Sequence, residues 1–270
     1  MTHFQNKTAV VTGAGGAIGG KIAHALSEAG ANVAIWDLSL QAAERRAQAI
    51  NQLDKGRAIG VRCDVVSPEA VNDALDQTLA EFGSIDILVN GAGGSSKSTT
   101  TSAELAFFDI HADDIQKVVA LNYLSAVIPS QAIGRIFADK GQGVIVNITS
   151  IAGGQPLSRA LAYCNAKAAA DSFTRWLAVH MATTYSPQIR VNAIAPGFMI
   201  TDQNRFLLLD ETTGELTDRG QDIISSVPMG RFGNPDEVVG CVLWLCSEQA
   251  SFVNGAIIPI DGGFTAYSGV

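Results

Sequence analysis

Short apolar runs alternate with longer stretches in which apolar residues recur at helical spacing. Each run is bounded by glycine, proline or polar residues, a pattern typical of buried strands in a parallel sheet. The predicted strands cover residues 8–12, 32–36, 57–61, 85–89, 143–149, 188–193 and 255–261. The predicted helices cover about 20–29, a stretch from about 40, 67–82, 113–139, 163–183 and 234–245. This alternation predicts an α/β fold with a doubly wound parallel sheet.

The composition is compatible with a single domain over 1–270, in which residues from about 202 to 229 form an insert. The chain has 270 residues, and 47% of them are hydrophobic, which is enough for a sizeable core. The formal net charge of -8 and the absence of a basic run argue against a nucleic-acid surface. The sequence shows no bilayer-spanning run, no signal-peptide pattern and no metal-ligand spacing among its four cysteines. We therefore expect a cytoplasmic protein without a metal site.

A glycine-rich turn follows the first predicted strand and leads into the first predicted helix. Such a unit is typical of a phosphate site, because glycines let the backbone approach a pyrophosphate and the helix N-terminus favours negative charge. The alternative is a plain tight turn, since a glycine cluster alone is weak evidence. The candidate residues are Gly13, Gly15, Gly16, Ala17, Ile18 and Gly19.

An acidic residue, Asp37, ends the second predicted strand, about 20 residues past the glycines. A carboxylate at this position can accept hydrogen bonds from both adenosine ribose hydroxyls and repels a 2′-phosphate, so it predicts NAD rather than NADP. Asp37 could instead cap the helix that begins near Leu40, but Ser39 can do so alone, which leaves Asp37 free for the ribose. Further candidate cofactor contacts at strand ends are Leu38, Asp64, Val65, Asn90, Gly91, Ala92 and Gly93.

A tyrosine and a lysine, Tyr163 and Lys167, stand four residues apart in an alanine-rich helix and therefore share one face. Ser150 follows the fifth predicted strand, at the edge of the sheet where active-site groups of such folds cluster. We expect the lysine charge to lower the pKa of Tyr163, which suits the phenol for proton transfer. The alternative is an ordinary exposed helix pair. Asn122, inside the helix predicted over 113–139, is either a buried polar group tied to backbone or part of the same site.

Taken together, these motifs resemble those of the short-chain dehydrogenase/reductase family over essentially the whole chain. The matching elements are Thr12-Gly13…Gly19, Asp64, Asn90-Gly-Ala-Gly93, Asn122, Ser150, Tyr163-x-x-x-Lys167 and Pro196-Gly197…Thr201. One position departs from the family pattern, because Ala17 stands where a glycine is usual; a methyl group is tolerable in a first helical turn. The resemblance implies a Rossmann-type sheet of seven strands in the order 3-2-1-4-5-6-7.

The resemblance also implies the roles of the site residues. Tyr163 would exchange a proton with the substrate oxygen while a hydride moves between substrate and nicotinamide, and Ser150 would hydrogen-bond that oxygen. Lys167 would lower the tyrosine pKa and hold the nicotinamide ribose, and Asn122 would hold a water in a proton relay. Pro196, Gly197 and Thr201 would lie over the nicotinamide carboxamide. The long helices at 113–139 and 163–183 are where the family commonly forms homodimers and homotetramers.

Several further stretches, among them 107–109, 176–180, 203–205 and 216–220, resemble the D-mannonate oxidoreductases of this family, which interconvert D-mannonate and D-fructuronate. The insert is strongly polar in its first residues, whereas a steroid or fatty-acyl pocket needs an apolar lid. A sugar acid needs a local cation, for which a planar guanidinium is well suited. The candidate substrate residues are Lys97, Ser150, Arg159, Asn204 and Arg205, with Arg205 ranked first among the cations.

Other functions on the same scaffold stay open at this stage. One is another polyol or sugar dehydrogenase, and another is a 3-oxoacyl reductase, against whose NADPH-dependent form Asp37 argues. A third is a protein that binds NAD(H) without catalysis, against which the intact set of four candidate catalytic residues argues.

Overall fold

Seven parallel strands form the centre of the protein. The computed structural model describes residues 4–53, 55–201, 205–210 and 213–268, apart from the side chains of residues 206 and 207. The strands are β1 (Thr8–Thr12), β2 (Asn32–Asp37), β3 (Ala58–Arg62), β4 (Ile87–Asn90), β5 (Gly143–Ile148), β6 (Ile189–Pro196) and β7 (Ile257–Ile260). They pair in the order β3-β2-β1-β4-β5-β6-β7, which confirms the predicted doubly wound α/β sheet.

Helices connect the strands and cover the sheet. They are α1 (Ala17–Glu28), α2 (Leu40–Asn51), α3 (Pro68–Phe82), α4 (Ala112–Val119), α5 (Ser125–Lys140), α6 (Ile151–Gly154), α7 (Leu161–Thr184), α8 (Arg205–Leu208), α9 (Asp218–Ser225) and α10 (Val239–Cys246). Two clusters of buried apolar residues form the core. Ile22, Leu26 and Val242 belong to one cluster, whereas Ile133, Phe137 and Leu177 belong to the other.

Local sequence signals fix several helix ends where they were predicted. The Ser39 hydroxyl accepts a hydrogen bond from the Ala42 amide and caps α2, and Ser67 caps α3 in the same way next to Pro68. Gly83 ends α3 in the left-handed conformation, which glycine adopts without steric cost. Each of these caps satisfies backbone groups that a helix end leaves unpaired.

The helix predicted over 113–139 is present from Ala112 to Lys140, but its pitch changes in the middle. Residues Ala120–Leu124 form a π-helical turn between α4 and α5. Pro129, expected to bend the helix, lies inside α5. The π turn contains Asn122, whose side chain bonds to another segment of the chain, so a tertiary contact accompanies the change of helical pitch.

The predicted insert over about 202–229 contains α8 and α9. The Thr217 hydroxyl caps α9 by accepting from the Gly220 amide. Asn204, one of the predicted substrate residues, lies outside the described residues. No helix in the described part of the chain is long and apolar enough to cross a membrane.

Candidate active site

The glycine turn after β1 packs directly against the loop that follows β4. Gly13 has φ +65°, and a Cβ at this position would lie 2.8 Å from the Ala92 Cα atom, so the turn requires glycine on both counts. The Thr12 hydroxyl accepts hydrogen bonds from the Gly91 and Ala92 amides at 3.0 and 3.2 Å. The two predicted cofactor segments therefore form one surface at the carboxyl edge of the sheet.

The N-terminus of α1 provides amide groups on this surface. Gly16 precedes the helix, which begins at Ala17 and has neither a side-chain cap nor an acidic residue in its first turn. Ala17, which stands where the family usually has a glycine, is the first residue of the helix, and a methyl group is tolerated at this position. This end of α1 suits a pyrophosphate, because unpaired helix amides and the helix dipole both favour an anion.

Asp37 lies beside the glycine turn, as its proposed ribose role requires. Its Oδ2 accepts from the Gly15 amide at 2.9 Å and its Oδ1 accepts from the Ser39 amide at 2.9 Å. Ser39 caps α2 as predicted, and each Asp37 carboxylate oxygen, although it accepts one amide, keeps a further lone pair for a ribose hydroxyl. Leu38, next to it, is 65% exposed.

The remaining predicted cofactor residues differ in exposure, because some are open to a ligand whereas others are buried and bond to the protein itself. Asp64 is exposed, and its Oδ1 accepts from the Val66 amide, whereas Val65 is buried. The Asn90 amide group is buried and donates to Asn147 Oδ1 at 2.8 Å and to Ser130 Oγ at 3.0 Å. The Asn90 side chain thus ties β4 to β5 and α5, which leaves its backbone and the glycines after it to approach a ligand.

At the far side of the cleft, Gly197 follows the end of β6 at Pro196. The Gly197 amide donates to the Ile260 carbonyl at 2.9 Å, and a Cβ at Gly197 would lie 2.7 Å from the Asp261 Cα atom. Thr201 is half-buried, and its carbonyl accepts from the Arg205 amide at 3.0 Å. This strand end is therefore held closely to the residue after β7.

Ser150, Tyr163 and Lys167 converge at the carboxyl end of β5. Ser150 is buried, hydrogen-bonds with Tyr163 and, through its Oγ, accepts from the Ala152 amide at 3.2 Å. The Lys167 Nζ donates to the Ile148 carbonyl at 2.9 Å and lies 5.6 Å from the centroid of the Tyr163 ring. An exposed helix pair is thereby excluded, because Lys167 is only 5% exposed.

Asn122 joins this group from the π turn. Its Oδ1 accepts from the Gly94 amide at 3.0 Å, and its Nδ2 donates to the Gly94 and Val118 carbonyls at 2.7 and 2.9 Å. A Cβ at Gly93 would lie 2.8 Å from Asn122 Oδ1 and 3.3 Å from Lys167 Nζ, so both side chains reach the same glycine. π turns recur at functional sites, and this one places Asn122 there.

The expected direction of the tyrosine pKa shift is wrong. Burial raises the pKa of Tyr163 above its ordinary value; the hydrogen bond with Ser150 opposes this, while Cys164 adds to it. Burial also lowers the pKa of Lys167 to about 8, against the attraction of Asp171. The lysine is itself desolvated and directed at a carbonyl group, so its charge does not outweigh the burial of the phenol. The resting tyrosine is a phenol and can act as a proton donor.

The candidate substrate cations are all exposed. Lys97 begins a short 3₁₀ turn, Lys97–Thr99, in the polar loop after β4. Arg159 lies just before α7, in the left-handed conformation with φ +71°. Its carbonyl accepts from the Thr101 amide at 3.0 Å, which joins the polar loop to the start of α7. Arg205 is the first residue of α8.

Two other arginines have structural roles. Arg231 forms a bidentate ion pair with Glu237, at 2.8 and 2.7 Å, which engages its charge within the protein. Arg190, not singled out in the sequence, is buried and donates to the Leu245 and Ser247 carbonyls. A further residue that the sequence analysis missed is Asp171, buried one helical turn after Lys167. Its i, i+4 spacing from Lys167 was the available signal.

The sequence matches a protein-family model and several relatives over nearly its whole length. A family model described as enoyl-(acyl carrier protein) reductase matches residues 13–265. An uncharacterized oxidoreductase of Haemophilus influenzae is 41% identical over 279 residues, covering 99% of this chain and 96% of that protein. The 7alpha-hydroxysteroid dehydrogenase of Escherichia coli (strain K12) is 34% identical over 261 residues, covering 97% and 95%.

A solved structure is similar to this protein in both sequence and fold. It is a protein of Haemophilus influenza with bound NAD, provisionally described as a D-mannonate oxidoreductase, and it is 40% identical to this chain. The TM-score is 0.92, and the alignment covers 99% of this chain and 98% of that one. With the matched family model and these whole-length relatives, the chain belongs to the short-chain dehydrogenase/reductase family of oxidoreductases.

Proposed function

We propose that the protein is an NAD-dependent dehydrogenase that interconverts a secondary alcohol and a ketone on a sugar acid, in particular D-mannonate and D-fructuronate. The observation that carries the reaction type is the convergence of Ser150, Tyr163, Lys167 and Asn122 beside the glycine turn. The sugar-acid assignment draws on the NAD-bound relative described as a D-mannonate oxidoreductase and on the polar character of the insert.

The residues present fit NAD at each part of the cleft. The open N-terminus of α1 suits the pyrophosphate, and the Asp37 carboxylate beside Gly15 suits the ribose hydroxyls. Close backbone approach at Gly13 and Gly197 requires glycine along the cleft, and Gly93 leaves room for the Asn122 and Lys167 side chains. When bound, the nicotinamide supplies or accepts the hydride.

The chain's own residues then handle the oxygen and its proton. Ser150 orients the substrate oxygen by hydrogen bonding, and Tyr163 donates a proton to it during ketone reduction or accepts one during alcohol oxidation. The Lys167 ammonium stabilises the phenolate that reduction leaves behind, because opposite charges attract strongly in a poorly solvated site. Both amide hydrogens of the Asn122 side chain are already bonded, so a proton relay through this side chain uses its remaining Oδ1 lone pair.

We further propose a cytoplasmic homodimer or homotetramer built from one domain with a closing insert. A groove of about 1,040 Å³ runs between α5 and α7 and is lined by Phe173, Trp176 and Tyr185 among others. Trp176 and Tyr185 are 59% and 54% exposed, an unusual exposure for aromatic side chains. All four cysteines are free, which suits a reducing compartment. Sedimentation velocity tests this assembly: we expect a dimer or a tetramer, and a monomer would contradict the proposal.

The activity test is a screen of hexonates and ketohexuronates, read at the NADH absorbance. The steroid relative makes a 7alpha-hydroxysteroid the matched competing substrate, and a 3-oxoacyl thioester and neutral polyols complete the panel. Turnover of hexonates supports the proposal. Turnover of the steroid alone would contradict the sugar-acid assignment, and no turnover with any compound would favour a binding protein without catalysis.

Cofactor choice tests the role of Asp37. We expect a higher kcat/KM with NAD than with NADP, because the carboxylate repels a 2′-phosphate. Asp37→Ser should reduce the NAD-over-NADP ratio by about ten- to a hundredfold, since a hydrogen bond to a charged group contributes about 1.5–3 kcal/mol. Glu44→Gln, which removes an exposed charge on α2, is the matched control. A wild-type enzyme that prefers NADP would contradict the assignment.

Removing one oxygen atom tests the proton-transfer role of Tyr163. Tyr163→Phe keeps the ring, so NADH binding, followed by fluorescence, should stay close to normal. Turnover should fall by about 10²–10⁴-fold, the usual contribution of general acid–base catalysis. A variant that keeps most of the wild-type kcat would show that another group carries the proton.

Removing the arginine that is proposed to bind the substrate carboxylate tests the substrate class. Arg205→Ala should raise KM for a hexonate by about ten- to a hundredfold and leave a neutral polyol unaffected, because a charged hydrogen bond contributes about 1.5–3 kcal/mol. Arg159→Ala and Lys97→Ala are the matched comparisons, since both residues are exposed cations near the cleft. If Arg205→Ala lowers kcat/KM equally for both substrates, Arg205 does not bind the carboxylate.

A further inference from the structure

Two carboxylates are buried in the described part of the chain, and they differ in how they are neutralised. Asp86 is paired with both Lys7 and Lys140 and accepts from the Thr8 amide. Asp171 is only 6% exposed, yet no ion pair involves it among the described residues. A buried carboxylate without a salt bridge is costly, so its presence needs an explanation.

The immediate surroundings of Asp171 do not supply a strong partner. Its Oδ1 has no hydrogen-bond partner in the described structure, and the neighbouring Thr149 hydroxyl donates to the Ile194 carbonyl at 3.1 Å. Arg175, one turn further along α7, is exposed, and solvent weakens the attraction of exposed charges. Packing is tight on the side of α6, because a Cβ at Gly153 would lie 2.6 Å from Asp171 Oδ2.

The position of Asp171 on α7 relates it to the catalytic group. Tyr163, Lys167 and Asp171 follow each other at intervals of four residues and therefore share one face of the helix. This face lies against three consecutive residues at the end of β5: Tyr163 is beside Ser150, Lys167 donates to the Ile148 carbonyl and Asp171 is beside Thr149. Ser150 and Asp171 also line one cavity of about 240 Å³.

The buried Lys167 ammonium lacks a charged partner of its own. Its hydrogen bond goes to a neutral carbonyl group, and no ion pair involves it among the described residues. An ammonium in such surroundings tends to lose its proton unless a negative charge lies nearby. Asp171, buried one turn away on the same helix, is placed to supply that charge.

We propose that Asp171 is a positioning residue, which keeps the buried Lys167 ammonium charged and in place while Tyr163 exchanges its proton. The proposal rests on the proposed function of this site. The proposal explains why a carboxylate without an ion pair is buried at this position. A neutral side chain in place of Asp171 would leave Lys167 as an isolated buried charge.

The electrostatics agree with this role. Burial lowers the pKa of Lys167 to about 8, and the charge of Asp171 opposes that change. Burial raises the pKa of Asp171, and Thr149, Arg175 and Lys167 oppose it. Among the described residues, the other titratable groups beside the pair are Tyr163 and Arg175, both on α7. The segments packed against the pair present the non-titrating residues Gly93, Asn122, Ile148, Thr149, Gly153, Ala195 and Pro259.

The first test measures the charge of Lys167 and needs no substrate. Lysine labelled with ¹³C and ¹⁵N is titrated by NMR in the full chain, and the Lys167 resonance is assigned with Lys167→Arg. Loss of the negative charge in Asp171→Asn should move the Lys167 midpoint down by about one pH unit. Asp76→Asn removes the same charge from an exposed position on α3 and should leave the midpoint unchanged.

The second test follows ketone reduction with NADH across the pH range. Because Lys167 then loses its proton at lower pH, the alkaline limb of kcat/KM should also move down by about one pH unit. At pH 8 the rate should fall about fivefold, approaching about tenfold at higher pH, with a much smaller loss at pH 6. Asp171→Ala is a second variant that avoids burying a new amide group.

The outcomes separate this inference from the proposed function. A loss of activity that is equal at every pH, or an unmoved Lys167 midpoint, would overturn the role of Asp171. Failure of both Asp171→Asn and Asp171→Ala to fold would do so as well, because it would show a purely structural carboxylate. If the wild-type enzyme turns over no substrate, the proposed function fails, while the NMR titration still decides the role of Asp171.

Discussion

The Lys167 ammonium is buried between α7 and the end of β5, where it donates to the Ile148 carbonyl at 2.9 Å. Solvation is lost at such a position, so the surrounding residues determine whether the charge survives. Asn122 and the Gly93–Gly94 backbone approach it from one side, and Tyr163 and Asp171 flank it along α7. The rest of the site depends on this arrangement, because the charge that stabilises a tyrosine phenolate must sit inside the protein.

The cofactor cleft depends on a different constraint, the close approach of backbone segments at the carboxyl edge of the sheet. Gly13 packs against Ala92, the Thr12 hydroxyl binds the two amides after Asn90, and Gly197 packs against Asp261. Side chains at these glycines would collide with backbone atoms, which cannot move aside cheaply. A narrow cleft of backbone amides and one carboxylate, Asp37, is what a dinucleotide with a pyrophosphate and free ribose hydroxyls requires.

The sequence predicted the sheet because each strand is a short apolar run with clear ends, and the family resemblance supplied the strand order. It also predicted the Ser39 and Ser67 caps, which depend on neighbouring residues alone. It did not predict the π turn, which accompanies a tertiary bond between Asn122 and Gly94. The direction of the Tyr163 pKa shift was wrong, because a pairwise argument from spacing omits the burial of both groups. It also gave no direction for the Arg159 side chain, because the left-handed backbone before α7 has no local sequence signal.

The most direct measurement of the central claim follows the transferred hydrogen. NADH carrying deuterium at C4 of the nicotinamide is incubated with the enzyme and a ketohexuronate, and the product is analysed by mass spectrometry and NMR. The account predicts one deuterium on the new carbinol carbon and a hydroxyl proton derived from water. With both C4 hydrogens replaced by deuterium, so that the face of transfer does not matter, a product without deuterium at the carbinol carbon, or deuterium in the solvent, would contradict direct hydride transfer at this site.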